Sequence, residues 1–141
     1  MKLKIPIIII ELDANGVHIL LDCKIGKSMQ DAYIIIDTGA SKSVIDSSTI
    51  TTDDYTVIET EKIESSQLTE MVSGQIISIR NIQLGKFNFT NFEALTMPLN
   101  HINSIYSKFV NKPIAGLLGG DFLIKHKVVI NYKMRRIEVT I

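Results

Sequence analysis

The hydrophobic residues of this chain fall in short β-branched runs separated by polar turn residues, a rhythm that many short strands produce. Residues 5–12, rich in isoleucine, read as a first strand. Asp13-Ala14-Asn15-Gly16 reads as a turn, with Asn15-Gly16 suited to positive φ. Residues 17–25 form a second strand, and Tyr33-Ile34-Ile35-Ile36 a third that ends at Asp37. After residues 41–50, the acid-rich stretch 51–70 reads as solvated surface. Residues 71–79 read as a hairpin with Ser73-Gly74 at its tip, and residues 82–84 and 87–95 as two strands around Gly85-Lys86.

One helix is predicted. Ile102, Ile105, Tyr106 and Phe109 recur at i, i+3, i+4 and i+7, with Asn100 as a cap and Pro113 beyond the end. That stripe reads as core packing. A Gly-rich segment, residues 116–123, follows. Residues 128–132 then pair with 137–141 as a closing hairpin. The length, 141 residues, fits a single domain spanning 1–141.

Composition narrows the partners. The chain is 45% hydrophobic and 21% charged, which is globular, and 15 basic residues balance 15 acidic ones. No basic stripe points to nucleic acid or an anionic membrane. The run Ile5-Pro6-Ile7-Ile8-Ile9-Ile10 is too short to span a bilayer and is followed by Glu11 and Asp13. Cys23 is the single cysteine, so an intrachain disulfide and a thiolate metal cluster are both excluded, and a reducing, cytoplasmic location is expected. His18, His101 and His126 lack metal-ligand spacing, and no cofactor is implied.

The candidate chemistry lies at Asp37-Thr38-Gly39-Ala40-Ser41. A strand running into Asp37 holds that carboxylate at a defined position. Thr38 offers a hydroxyl that both donates and accepts, suited to bracing one loop against another. Gly39 lacks Cβ and Ala40 is small, so a peptide backbone can approach closely. Ser41 adds a hydrogen-bonding group. Two carboxylates held about 3 Å apart share one proton, so that one activates water while the other donates to a carbonyl. This chain carries one such triplet.

Ile34-Ile35-Ile36-Asp37-Thr38-Gly39-Ala40-Ser41, followed by Val44-Ile45, resembles the active-site segment of the retropepsin-like aspartic proteases, in particular the single-domain, bacterial-type members. Ile114-Ala115-Gly116-Leu117-Leu118-Gly119-Gly120-Asp121-Phe122-Leu123 resembles that family's second signature, which threads under the active-site loop. The resemblance covers roughly residues 17–141. It implies an all-β, acid-protease-like closed β-barrel with one or two short helices, acting as a homodimer on peptide or protein substrates. Asp37 would be the catalytic residue, in a loop with Thr38 and Gly39. Gly39, Ala40, Ser41, Val72, Ser73 and Gly74 would bind substrate. Gly119 and Asp121 would give structural support, Asp121 by capping the short helix after it. Viral members pair an acidic residue, where Ser41 stands, with an arginine, where Gly120 stands, and this chain lacks both. Two other readings stay open on the residues alone: a catalytically inactive binding or dimerisation module of the same fold, and a fragment with an actin-like ATPase phosphate loop.

Overall fold

A computed structural model describes residues 1–13, 16–64 and 71–141, with the backbone alone for 60–64 and 71–73. Eleven strands and two short α-helices are present among these residues. In chain order they are β1 (Lys2–Pro6), β2 (Ile8–Glu11), β3 (Val17–Ile25), β4 (Gln30–Ile36), β5 (Val44–Asp46), β6 (Tyr55–Glu64), β7 (Met71–Leu84), β8 (Phe87–Met97), α1 (Asn100–Tyr106), β9 (Ile114–Leu118), α2 (Gly120–Lys125), β10 (Val129–Asn131) and β11 (Arg136–Thr140). An eight-stranded sheet runs β2-β3-β4-β9-β5-β8-β7-β6, and a small sheet runs β1-β11-β10. The expected closed barrel takes the form of a ring. Beyond its pairing with β2, the far end of β3 pairs with β7 on that same edge, through Cys23↔Leu84 and Ile25↔Ile82, while β4 stays on the other.

The ring encloses the main core, which includes Leu21, Ile34, Ile36, Ile45, Ile79 and Leu118. A second cluster of Leu20, Ile35, Tyr106 and Ile114 lies on the other face, with Ile102 of α1 packed against it. Both faces of β4 are therefore covered. That is why Ile34-Ile35-Ile36 is continuously apolar instead of alternating.

Several expectations change. The run 5–12 is two strands in two different sheets. Pro6 has no N–H to extend the β1–β11 ladder, and Ile7 N–H instead donates to Arg135 O at 3.0 Å as the chain crosses over. The acid-rich stretch is not simply surface: it holds the 3₁₀ turn Thr52–Asp54 and strand β6. Ser73 and Gly74 are not a hairpin tip. They lie within β7, paired with Lys62 and Glu61 of β6, and the β6–β7 connection falls at 65–70, outside the described residues. The side chains of Val72 and Ser73 also lie outside them, as do Ala14 and Asn15 of the first turn. Asn100 is the first residue of α1 rather than its cap.

The closing hairpin and the Gly85-Lys86 turn form as expected. The phosphate-loop reading fails here, because that fold needs two large α/β lobes and the described chain is a β ring with two short helices. No helix among the described residues is long and apolar enough to cross a membrane.

Candidate active site

Strand β4 delivers Asp37 to the surface, and β9 lies beside it in parallel, with Ile36↔Leu118 the last pair. The chain then loops over β9 and returns as β5, which pairs antiparallel to β9 through Val44↔Leu117 and Ile45↔Gly116. Strand β9 is thus threaded between the two arms of the Asp37 loop. This crossing leaves no space for side chains at two points. A Cβ on Gly116 would stand 2.2 Å from Val44 O, and one on Gly119 would stand 2.6 Å from Lys42 O. Both contacts are with backbone, which cannot swing aside.

Hydrogen bonds fix the loop at every level. Asp37 N–H donates to Leu118 O at 2.9 Å, and Ala40 N–H donates back to Asp37 O at 3.2 Å. The N-terminal amides of α2 reach the loop: Gly120 N–H donates to Ala40 O at 2.7 Å and Asp121 N–H to Ser41 O at 3.2 Å. These backbone bonds join the α2 segment to the Asp37 loop. Beneath them lies Ser43, fully buried. Its hydroxyl donates to Asp121 Oδ1 at 2.8 Å and accepts from Gly119 N–H at 3.0 Å, while its own N–H donates to the same carboxylate oxygen at 2.9 Å. Asp121 also accepts from Phe122 N–H at 2.8 Å; it lies inside the first turn of α2, whose N-cap is Gly119, so it ties that turn to the loop rather than capping the helix as expected.

Against this rigid base the Asp37 carboxylate is lightly held. Oδ1 accepts one bond, from Gly39 N–H at 2.9 Å, and Oδ2 has no partner among the described residues. Asp37 is half-buried, and Thr38 and Gly39 are exposed. A carboxylate with unused acceptor capacity at a surface loop can accept from water, or share a proton with a second carboxylate brought to it.

Asp37 and Thr38 line one side of a cleft of about 400 Å³ whose other walls include His18, Ile36, Tyr106 and Tyr132. A smaller cavity of about 120 Å³, between β8 and α2, contains no residue of the Asp37 loop. Cys23 offers no rival nucleophile. It is buried, and its thiol is pushed up to about 12 by burial first and the negative charge of Asp22 second. No group of three or more metal-ligating side chains occurs among the described residues.

Residues 21–122 match the family model described as aspartyl protease. The chain belongs to that family. Its fold is shared with a retropepsin-like aspartic protease from Rickettsia conorii, at 14% sequence identity and a TM-score of 0.52, over 99% of this chain and 91% of that one. The retroviral protease-like domain of Ddi1 from Leishmania major is similar at the same 14% identity and TM-score of 0.52, over 85% of this chain and 86% of that one. A search of curated protein sequences finds no match.

For this family member, the geometry gathers Asp37, Thr38, Gly39 and Ala40 at one loop, with Gly119 and Asp121 directly beneath it. Gly74 belongs to a different arm of the molecule, paired with Glu61. Ser43 stands outside the sequence expectations, and Tyr106 and Ile102, expected as core, also face the cleft. Ser43 carried one available signal: a serine two residues past the motif, at the head of an apolar strand, where an unpaired hydroxyl would be costly to bury.

Proposed function

We propose that the chain is a homodimeric aspartic endopeptidase, its residues 1–141 forming one protease domain, with Asp37 from each of two copies making up the catalytic dyad. The observation that carries this reading is the state of Asp37: one hydrogen bond, one oxygen without a partner among the described residues, and a loop fixed by the Ser43–Asp121–Gly119 network. A pair of such carboxylates shares a proton, as aspartic-protease dyads do, and the apparent pKa values then belong to the pair. The ionised member takes a proton from water, and the water attacks the scissile carbonyl. The protonated member donates to the carbonyl oxygen, and a proton then passes to the leaving amine.

In this reading Thr38 braces the two loops against each other across the two-fold axis. Gly39, Ala40 and Ser41 bind the substrate backbone, and Val72, Ser73 and Gly74 cover it from the β6–β7 arm. The substrate lies as an extended strand. Gly119 and Asp121 hold the loop in place.

Asp37→Asn assayed on a mixed peptide library at several pH values tests the chemistry, and undiminished cleavage would defeat it. Sedimentation with and without a substrate analogue tests the pairing. An active chain that stays monomeric at every concentration would leave the dyad without its second member. A folded, dimeric wild type without cleavage at any pH would favour the inactive binding module.

A further inference from the structure

The cleft beside Asp37 is apolar along much of its wall, with Ile36, Ile102 and Leu117 among its lining residues. A hydrogen-bonded pair interrupts that wall: the Tyr106 hydroxyl on α1 and His18 Nδ1 on β3. The rings also meet edge to face, with centroids 5.6 Å apart. Tyr106 is held firmly. Helix α1 is clamped to β9 by the side-chain amide of Asn103, which donates to Ile114 O at 3.0 Å and accepts from Ile114 N–H at 2.8 Å.

The polarity of the pair turns on the imidazole tautomer. Tyr106 is buried, and His18 Nδ1 is its only hydrogen-bond partner among the described residues. The phenol holds its proton, since burial first and the charge of Asp37 second raise its pKa above the usual value. A phenol O–H that donates to its one protein partner satisfies the buried group. Nδ1 is then the acceptor, and the ring proton resides on Nε2. Nε2–H has no acceptor among the described residues, and His18 is only half-buried in the cleft wall.

We infer that His18 is a specificity-determining residue of this cleft, donating from Nε2–H to a substrate side chain with an apolar stem and an amide tip, as in glutamine, while Tyr106 positions the ring. A neutral tip is favoured over a carboxylate because the cleft lining contains Asp37 and no lysine or arginine. The inference rests on the proposed peptide-cleaving role of the same site for the identity of the ligand.

Two experiments test it. In nitrogen-labelled full-length chain, the His18 imidazole resonances report the tautomer. The expected result is Nε2–H in the wild type and a mixed population in Tyr106→Phe. Acetyl-glutamine methylamide should shift the Nε2 resonance, and acetyl-methionine methylamide should leave it in place. An Nδ1–H tautomer, or equal shifts from the two probes, overturns the inference. In a position-scanned peptide library, the wild type should prefer glutamine over methionine at one position flanking the cleaved bond by about tenfold, the worth of one hydrogen bond. His18→Leu should lose that preference through KM, and His18→Gln, which keeps a donor, should restore part of it. An unchanged profile in His18→Leu overturns the inference. The resonance measurements need no turnover, so a chain that cleaves nothing would count against the catalytic reading and leave this one standing on its own result.

Discussion

Two aspartates, Asp37 and Asp54, sit in loops of the same molecule and are treated in opposite ways by the chain around them. Asp54 is buried and well bonded. Its carboxylate accepts from Thr51 N–H at 2.9 Å, from Thr51 Oγ1 at 3.3 Å and from Lys27 N–H at 3.1 Å. Gly26, at φ +67°, approaches so closely that a Cβ there would stand 2.5 Å from the carboxylate. The Thr51 backbone bond leads the effects that hold the Asp54 pKa below its usual value, against the opposing cost of burial. Asp37 is half-exposed and accepts a single bond. A carboxylate that takes three hydrogen bonds from its own chain joins two loops. One left with capacity to spare can act on something else.

The comparison breaks most sharply through substitution. Asp37→Asn should reduce peptide cleavage on the order of 10³-fold, the scale of lost general acid–base catalysis, while the denaturation midpoint shifts by less than about 0.5 kcal/mol equivalent. A large loss of stability would mean that Asp37 is a structural acid after all. Asp54→Ala should do the reverse. It strands two backbone N–H groups and should cost about 2–4 kcal/mol in urea unfolding, with cleavage per folded molecule unchanged.

Ser43→Ala lies between the two. Removing the hydroxyl leaves Gly119 N–H without its acceptor and Asp121 with one donor fewer, so about 1–3 kcal/mol of stability should go. Cleavage should also fall, because the loop carrying Asp37 is no longer pinned to α2. A stability loss with full activity would detach the network from the site.

The pH dependence of stability sharpens the contrast further. Asp54 has a folded-state pKa below its unfolded value, so its contribution is present above the unfolded carboxylate range near pH ~4 and is lost as pH falls through the folded pKa. Thermal midpoints measured from pH 6 downward should drop less steeply in Asp54→Asn than in the wild type. The smallest effect belongs to the surface. Lys112 Nζ lies 3.0 Å from Asp22 Oδ1, and that bond leads the causes that raise the Lys112 pKa. Asp22 is more than half exposed, so Lys112→Met should cost at most about 1 kcal/mol and leave cleavage unaltered.

The legible parts of the fold were those set by local pattern. Residues 17–25 and 33–36 read as strands because β-branched side chains favour extended backbone, and the turn at Gly85-Lys86 followed from a glycine that takes φ +59°. The misread parts depend on distant partners. The stretch around Glu59 is polar enough to look like a loop, yet it is a strand because β7 runs beside it and supplies the ladder. The helix stripe at Ile102 and Tyr106 has the spacing of core residues, and nothing local says that one flank of it also borders the cleft.

By itself the sequence determined the chemistry available: a lone Asp-Thr-Gly at a strand end, a second glycine-bearing apolar segment, and a single cysteine outside any reactive motif. Only the tertiary structure decided how those pieces meet. Threading β9 between β4 and β5 requires Gly116 and Gly119 where the backbones cross, and it brings Ser43 against Asp121 across 78 residues of chain. That contact carries the physical reason. A buried hydroxyl, an amide and a carboxylate each cost free energy unless they find one another, and in this fold they do so directly beneath the loop that holds Asp37.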